Sequence, residues 1–153
     1  MTNARWRPRL AETLNLIADA APAFEDEWWI LGSAAAALSG ADVLEVRDVD
    51  LLLSERDARD LLARWSERRT EEVAASDQFR STVFARFEDA PLPIDVFGEF
   101  EMRVRGDWRR IHPLTRERRG AVFTPSVAEQ IAILEAMDRD KDKARIAALS
   151  ARL

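Results

Sequence analysis

The sequence predicts an α+β fold: a short mixed β-sheet flanked by helices, with a helical C-terminus. Three observations carry that expectation. Strand-like alternation is confined to the middle of the chain, apolar residues recur at helical spacing at both ends, and no internal repeat or low-complexity linker interrupts the 153 residues. That length fits one domain, 1–153, able to bury a core without disulfides or a structural metal.

The elements follow in order. Leu10, Leu14, Ile17, Ala18 and Ala21 recur at helical spacing, so a helix is expected over about 8–21, with Pro8 in its first turn and Pro22 ending it. Trp28 to Leu31 reads as a buried strand that runs into a turn at Gly32-Ser33. Of the two tryptophans, one is expected in the core and one at the surface. Ala34 to Leu38 has high helix propensity, and Gly40 can close that short helix. From Asp48 to Leu53, Val49, Leu51 and Leu53 share one face of a strand. Ser54 and Asp57 give a cap-like start to a helix over about 55–66. Thr82–Glu88 and Pro93–Phe97 read as two more strands. Glu99 to Val122 is ambiguous and is expected to hold two short ones. Ser126 and Glu129 form a capping box before Ile131, Leu134 and Met137, and a last helix is expected over about 140–151.

Composition excludes several classes. The chain is 47% hydrophobic and 33% charged, an ordinary globular balance, and it has no cysteine. Disulfide stapling, zinc–thiolate sites and cysteine nucleophiles are therefore out. Met1 to Leu10 is polar and arginine-bearing with no apolar region behind it, so no secretory signal is expected there. No apolar run approaches bilayer-spanning length, and a cytoplasmic protein with no membrane partner is the expectation. A net charge of -5 argues against a generic nucleic-acid binder. From Arg103 to Arg119, however, seven arginines face only Asp107 and Glu117. That stretch reads as a solvated face ahead of a binding track.

Chemistry enters through three features. Gly32-Ser33 follows an apolar strand and opens an alanine-rich helix, where free N–H groups and the Ser33 hydroxyl can cradle phosphate. After a gap of 14 residues (34–47) come Asp48 and Asp50, whose i and i+2 side chains share a strand face. Two like charges so placed call for a cation between them. Asp95 then stands alone between Ile94 and Val96 in a short apolar strand. Pairing that strand beside the first would complete an oxygen-rich metal site. Such a site suits Mg2+, or Mn2+ in its place, and two ions can serve both oxygens of an in-line displacement.

The order Gly-Ser, Asp-x-Asp, then a distant strand aspartate resembles the nucleotidyltransferase superfamily of the DNA polymerase beta type. The closest likeness is to small bacterial members, including those of toxin–antitoxin systems. The residues that carry it are Trp28-Trp29-Ile30-Leu31-Gly32-Ser33 and Arg47-Asp48-Val49-Asp50-Leu51. Arg139-Asp140-Lys141-Asp142 adds to them, followed by Arg145, Ile146 and Leu149. The resemblance covers about residues 28–150. It implies a nucleotidyltransferase-like fold and metal-dependent transfer of a nucleoside monophosphate from a nucleoside triphosphate to an acceptor hydroxyl. In that reading Gly32, Ser33 and Lys141 bind the nucleotide, and Asp48, Asp50 and Asp95 are the catalytic metal ligands, Asp95 on the acceptor side. The acceptor is left open among a small molecule, a protein and an RNA, as is a protein partner or homo-oligomer. Relatives often carry a lysine near Leu134 and this chain does not, which favours the alternative of a non-catalytic nucleotide-binding or toxin–antitoxin interaction module.

The remaining polar residues read more simply. Lys141 fits either a phosphate contact or a charged surface. Arg47 is expected to pair with Asp48, Arg80 can bind phosphate or an acid, and His112 is expected to be structural.

Overall fold

The computed structural model describes residues 4–68, 70–71 and 76–153. Helix α1 covers Trp6–Ala20, with Pro8 in its first turn, where a missing N–H costs nothing. Its buried residues Trp6, Leu10, Thr13, Ile17 and Ala20 form one stripe. Thr13 is fully buried but satisfied: its hydroxyl donates to the Arg9 carbonyl at 2.7 Å and accepts from the Leu92 N–H at 3.0 Å. Strand β1 (Trp29–Leu31) leads into α2 (Gly32–Leu38), then β2 (Val49–Leu53) and α3 (Glu55–Arg64). Strands β3 (Thr70–Glu71), β4 (Phe79–Phe87), β5 (Ile94–Val104) and β6 (Asp107–Arg110) follow. The chain closes with β7 (Glu117–Arg119), β8 (Val122–Thr124), α4 (Val127–Met137), a 3-10 turn at Asp140–Asp142 and α5 (Lys143–Ser150).

The main sheet runs β1-β2-β5-β4-β3, with β6 paired to the far half of β5. Among the described residues only β2 and β5 pair in parallel and the other pairs are antiparallel, so the sheet is mixed as expected. Val49, Leu51 and Leu53 join Ile17 of α1 and Leu61 of α3 in the main core. Full burial of a leucine such as Leu51 contributes roughly 2 kcal/mol. Leu52 points the other way, into a smaller cluster with Trp29, Leu31 and Phe100. The sheet thus buries apolar residues on both faces, the larger core on one and the smaller cluster on the other.

Strand β5 changes partner midway. Residues 94–98 pair with β2, and residues 101–104 pair with β6. At the switch Gly98 lets α3 close in, since a Cβ there would meet the Ala58 Cβ at 2.8 Å. Glu99 adopts φ +58.

Several expectations need correction. The strand expected at Pro93–Phe97 continues to Val104, because Gly98, Phe100 and Met102 extend its buried alternation. The strand expected at Thr82–Glu88 begins three residues earlier, at Phe79. The ambiguous Glu99–Val122 stretch contains the end of β5, all of β6 and β7, and the start of β8. Both tryptophans are buried: Trp28, just before β1, lies in the main core and Trp29 in the smaller cluster. Trp28 packs edge-on against Phe24 and Phe123, while the Trp29 indole donates to the Thr115 carbonyl at 2.9 Å.

Both capping boxes are half formed. Ser54 accepts from the Asp57 N–H and Ser126 from the Glu129 N–H, each at 3.2 Å. Neither acid returns the bond. Asp57 accepts instead from the N–H groups of Glu25 and Asp26, and Glu129 from those of Leu114 and Thr115. Each carboxylate therefore pins a distant loop to a helix start. Among the described residues, no helix is long and apolar enough to cross a membrane.

Candidate active site

The turn from β1 into α2 is tight against β2. Leu31 pairs with Asp50, and Gly32 takes φ +68. A Cβ at Gly32 would lie 2.7 Å from Oδ2 of Asp50. Only glycine meets both demands, a left-handed backbone and no side chain. No side chain caps the start of α2.

Asp48 immediately precedes β2, Asp50 lies within it, and Asp95 is the direct partner of Asp50 across the parallel β2–β5 ladder. One oxygen from each of the three carboxylates falls within 4.8 Å of the others. Asp95 is buried, and Asp48 and Asp50 are half-buried. The sequence placed Asp48 and Asp50 on one strand and Asp95 on another, and the parallel register of β2 and β5 brings the three together.

Close packing of like charges perturbs their titration. Burial first, then the Asp48 and Asp95 carboxylates, push Asp50 up to about 8, against the pull of Arg145 and Arg86. Burial raises Asp95 to about 6, although Arg86 opposes the rise. Three converging carboxylates, with no histidine or cysteine in the cluster, fit a hard divalent cation such as Mg2+ or Mn2+.

Arg86 is a residue the sequence did not single out. It stands opposite Asp95 across the β4–β5 ladder. Its Nη1 donates to Asp95 Oδ2 at 2.8 Å and Oδ1 at 3.0 Å, and lies 3.5 Å from Asp48. Its Nε donates to Glu88 at 2.8 Å. Alternation along β4 fixes only the face of Arg86, opposite Val83, Ala85 and Phe87, and not its partner.

Two cavities flank Asp50. A polar one of about 430 Å³ is lined by Ser33, Arg47, Asp48, Asp50, Lys141 and Arg145, among others. Lys141 is exposed there and makes no ion pair or side-chain hydrogen bond among the described residues. Asp142 is 1% exposed and holds Arg139 through bonds of 2.5 and 3.0 Å, with Arg145 at 3.8 Å. The Arg139–Asp142 motif thus delivers two anchored arginines as well as Lys141. An apolar cavity of about 150 Å³ shares Asp50, Arg139 and Arg145 with the polar one.

Other sequence candidates fall elsewhere. Arg47 pairs with Glu45 at 2.6 Å rather than with Asp48, because its exposed side chain reaches back along the loop. Arg80 pairs with Glu101 and lies over the Trp108 ring, away from the carboxylates. His112 packs edge-on against Trp29, a structural role. In the arginine-rich segment, Arg110 pairs with Glu99, Arg119 with Glu117, and Arg116 lies over Phe123.

Two solved structures share this architecture. A Thermotoga maritima protein described as a candidate nucleotidyltransferase, TM1012, superposes with a TM-score of 0.72 at 18% identity over 96% of each chain. The fold is of the nucleotidyltransferase type. The lincosamide antibiotic adenylyltransferase LnuA, in its lincomycin-bound form, gives a TM-score of 0.62 at 15% identity. That match covers 92% of this chain and 96% of LnuA. No family model and no curated protein matches the sequence significantly.

Proposed function

We propose that the chain transfers a nucleoside monophosphate from a nucleoside triphosphate to an acceptor hydroxyl, with Mg2+ held by Asp48, Asp50 and Asp95. The observation that carries this reading is the parallel register of Asp50 and Asp95, with Asp48 in the same oxygen cluster beside the Gly32 turn. Two structural neighbours named for such transfer support it. The small-molecule acceptor implied by the name LnuA is the acceptor class to test first, ahead of a protein side chain or an RNA end.

Each residue has a part. Gly32 and Ser33 receive the phosphates, and Lys141, Arg139 and Arg145 supply positive charge around them. The divalent ion, when bound, neutralises the triphosphate and polarises the reacting phosphorus. Asp95, on the acceptor side, takes the proton of the acceptor hydroxyl. The acceptor oxygen bonds to the α-phosphorus, the bond from that phosphorus to the bridging oxygen breaks, and pyrophosphate leaves. Arg86 orients Asp95.

A second reading is a nucleotide-binding module without turnover. It is favoured by the grip of Arg86 on both oxygens of Asp95, which leaves that carboxylate engaged. Magnesium-dependent pyrophosphate release from each of the four ribonucleotides, over a panel of hydroxyl acceptors, separates the two. Release that vanishes in Asp48→Asn supports the transferase. Tight magnesium–nucleotide binding with no release on any acceptor supports the module.

A further inference from the structure

The apolar cavity beside Asp50 has a floor built for a flat ring. Phe79, Phe97 and Phe100 line it from the sheet, with Phe97 and Phe100 centroids 4.8 Å apart. Leu134 and Met137 line it from α4, and Gln130 adds a polar group. A cavity of about 150 Å³ takes roughly one six-membered ring.

Gln130 is 6% exposed, and its amide orientation is fixed. Nε2 donates to the Pro125 carbonyl at 2.9 Å, an oxygen that can only accept. It also donates to Ser39 Oγ at 2.9 Å, whose own proton goes to the Ala35 carbonyl. Both amide protons are thereby used. Oε1 accepts no hydrogen bond among the described residues, yet no sealed side-chain oxygen or nitrogen is left unpartnered. Oε1 is therefore an accessible atom, on a side chain that lines the cavity. The site offers one acceptor and no side-chain amide donor.

We propose that this cavity is the nucleobase site and that it selects a base with an exocyclic amine, adenine or cytosine, over one with a carbonyl there, a reading that rests on the transferase proposal above. Gly32, Asp50, Arg139 and Arg145 line it, and the last three also line the polar cavity, so it adjoins the phosphate side. Asp95, on the acceptor side, does not line it. The amino-bearing ring of adenine enters between the phenylalanines and α4, and its N–H donates to Gln130 Oε1. A carbonyl in the same place, as in hypoxanthine, guanine or uracil, would face Oε1 acceptor to acceptor.

The test compares ATP with inosine triphosphate, which differs from it at that ring position, by calorimetry with magnesium. ATP is expected to bind about tenfold or more tightly. Gln130→Met keeps the side-chain length but removes the acceptor, and should bring the two within about twofold. Leu134→Trp, which fills the cavity, gives a second variant. It should lose the preference for ATP and still bind inorganic tripolyphosphate with magnesium. Equal affinities in the unmodified chain, or a preference that survives in Gln130→Met or Leu134→Trp, overturn the base site. If tripolyphosphate nevertheless binds the unmodified chain, the transferase reading stands without the base site. If neither tripolyphosphate nor any nucleotide binds, both readings fall.

Discussion

Arg86 and Asp95 stand opposite each other in the β4–β5 ladder, and a single nitrogen, Nη1 of Arg86, contacts both oxygens of Asp95 at 2.8 and 3.0 Å. The same nitrogen reaches Asp48 at 3.5 Å. The carboxylate cluster thus contains its own counter-ion. Arg86→Met should leave Asp48 and Asp95 facing each other unneutralised. We expect the chelated protein to lose about 1–3 kcal/mol of stability, less than a fully buried pair would cost because Arg86 is partly exposed. Manganese affinity should rise as the ion takes over the vacated charge. Urea titrations with chelator and with manganese check this. Equal losses in both conditions would show that Arg86 acts by packing alone.

Acidity supplies a second test. Asp50 titrates near 8 and Asp95 near 6 in the folded chain, well above an unfolded carboxylate at about 3.9. Between about pH 4 and about pH 8 the folded state therefore holds protons that the unfolded state has released, so these groups make stability fall as pH rises. In chelator, the melting temperature should decline across that window. Saturating magnesium should flatten the decline, and Asp50→Asn should remove most of it. A chelated profile that Asp50→Asn leaves unchanged would contradict the raised titration.

Gly32→Ala should be worse than its size suggests. The φ of +68 alone costs about 1 kcal/mol, and the new Cβ would press on Asp50 Oδ2 from 2.7 Å. Gly120→Ala is the control, since its φ is +64 but a Cβ there meets nothing within 4 Å. We expect both variants to lose stability and only Gly32→Ala to lose manganese affinity, measured by calorimetry.

The lysine and the aspartate of one motif should behave differently. Lys141 is exposed and has no ion-pair partner among the described residues, so Lys141→Ala should leave the melting temperature unchanged and weaken triphosphate binding most at low salt. Asp142 is buried under Arg139 and Arg145, so Asp142→Asn should cost about 3 kcal/mol and loosen both arginines. Thermal melts alongside nucleotide titrations separate the two effects. A destabilised Lys141→Ala protein would place Lys141 in the fold rather than in the binding surface.

The sequence announced the acidic site more clearly than its surroundings. Asp48, Asp50 and Asp95 were legible because carboxylates inside apolar strands need a partner, and Gly32 because a strand-to-helix turn asks for it. Arg86 was not legible, since its role depends on which strand lies beside β5, and cross-strand register is not written locally. Gln130 looked like an ordinary helix residue, because its meaning comes from Ser39 and Pro125 on other elements. The partner switch in β5 was hidden for a related reason. Glu99 gives no sequence hint of a left-handed backbone.

The parallel pairing of β2 and β5 also bears on how the chain reaches its native state. Asp50 and Asp95 are 45 residues apart, and α3, β3 and β4 lie between them. Strands β4 and β5 are joined by a short turn between Phe87 and Ile94 and can meet early, whereas docking of β5 on β2 closes a much longer loop. An unfolded or half-folded chain therefore offers an ion only the Asp48–Asp50 pair or an isolated Asp95. Capture of manganese should lag behind helix formation in refolding and report the last step of sheet assembly, which makes the metal a built-in clock for the completed chain.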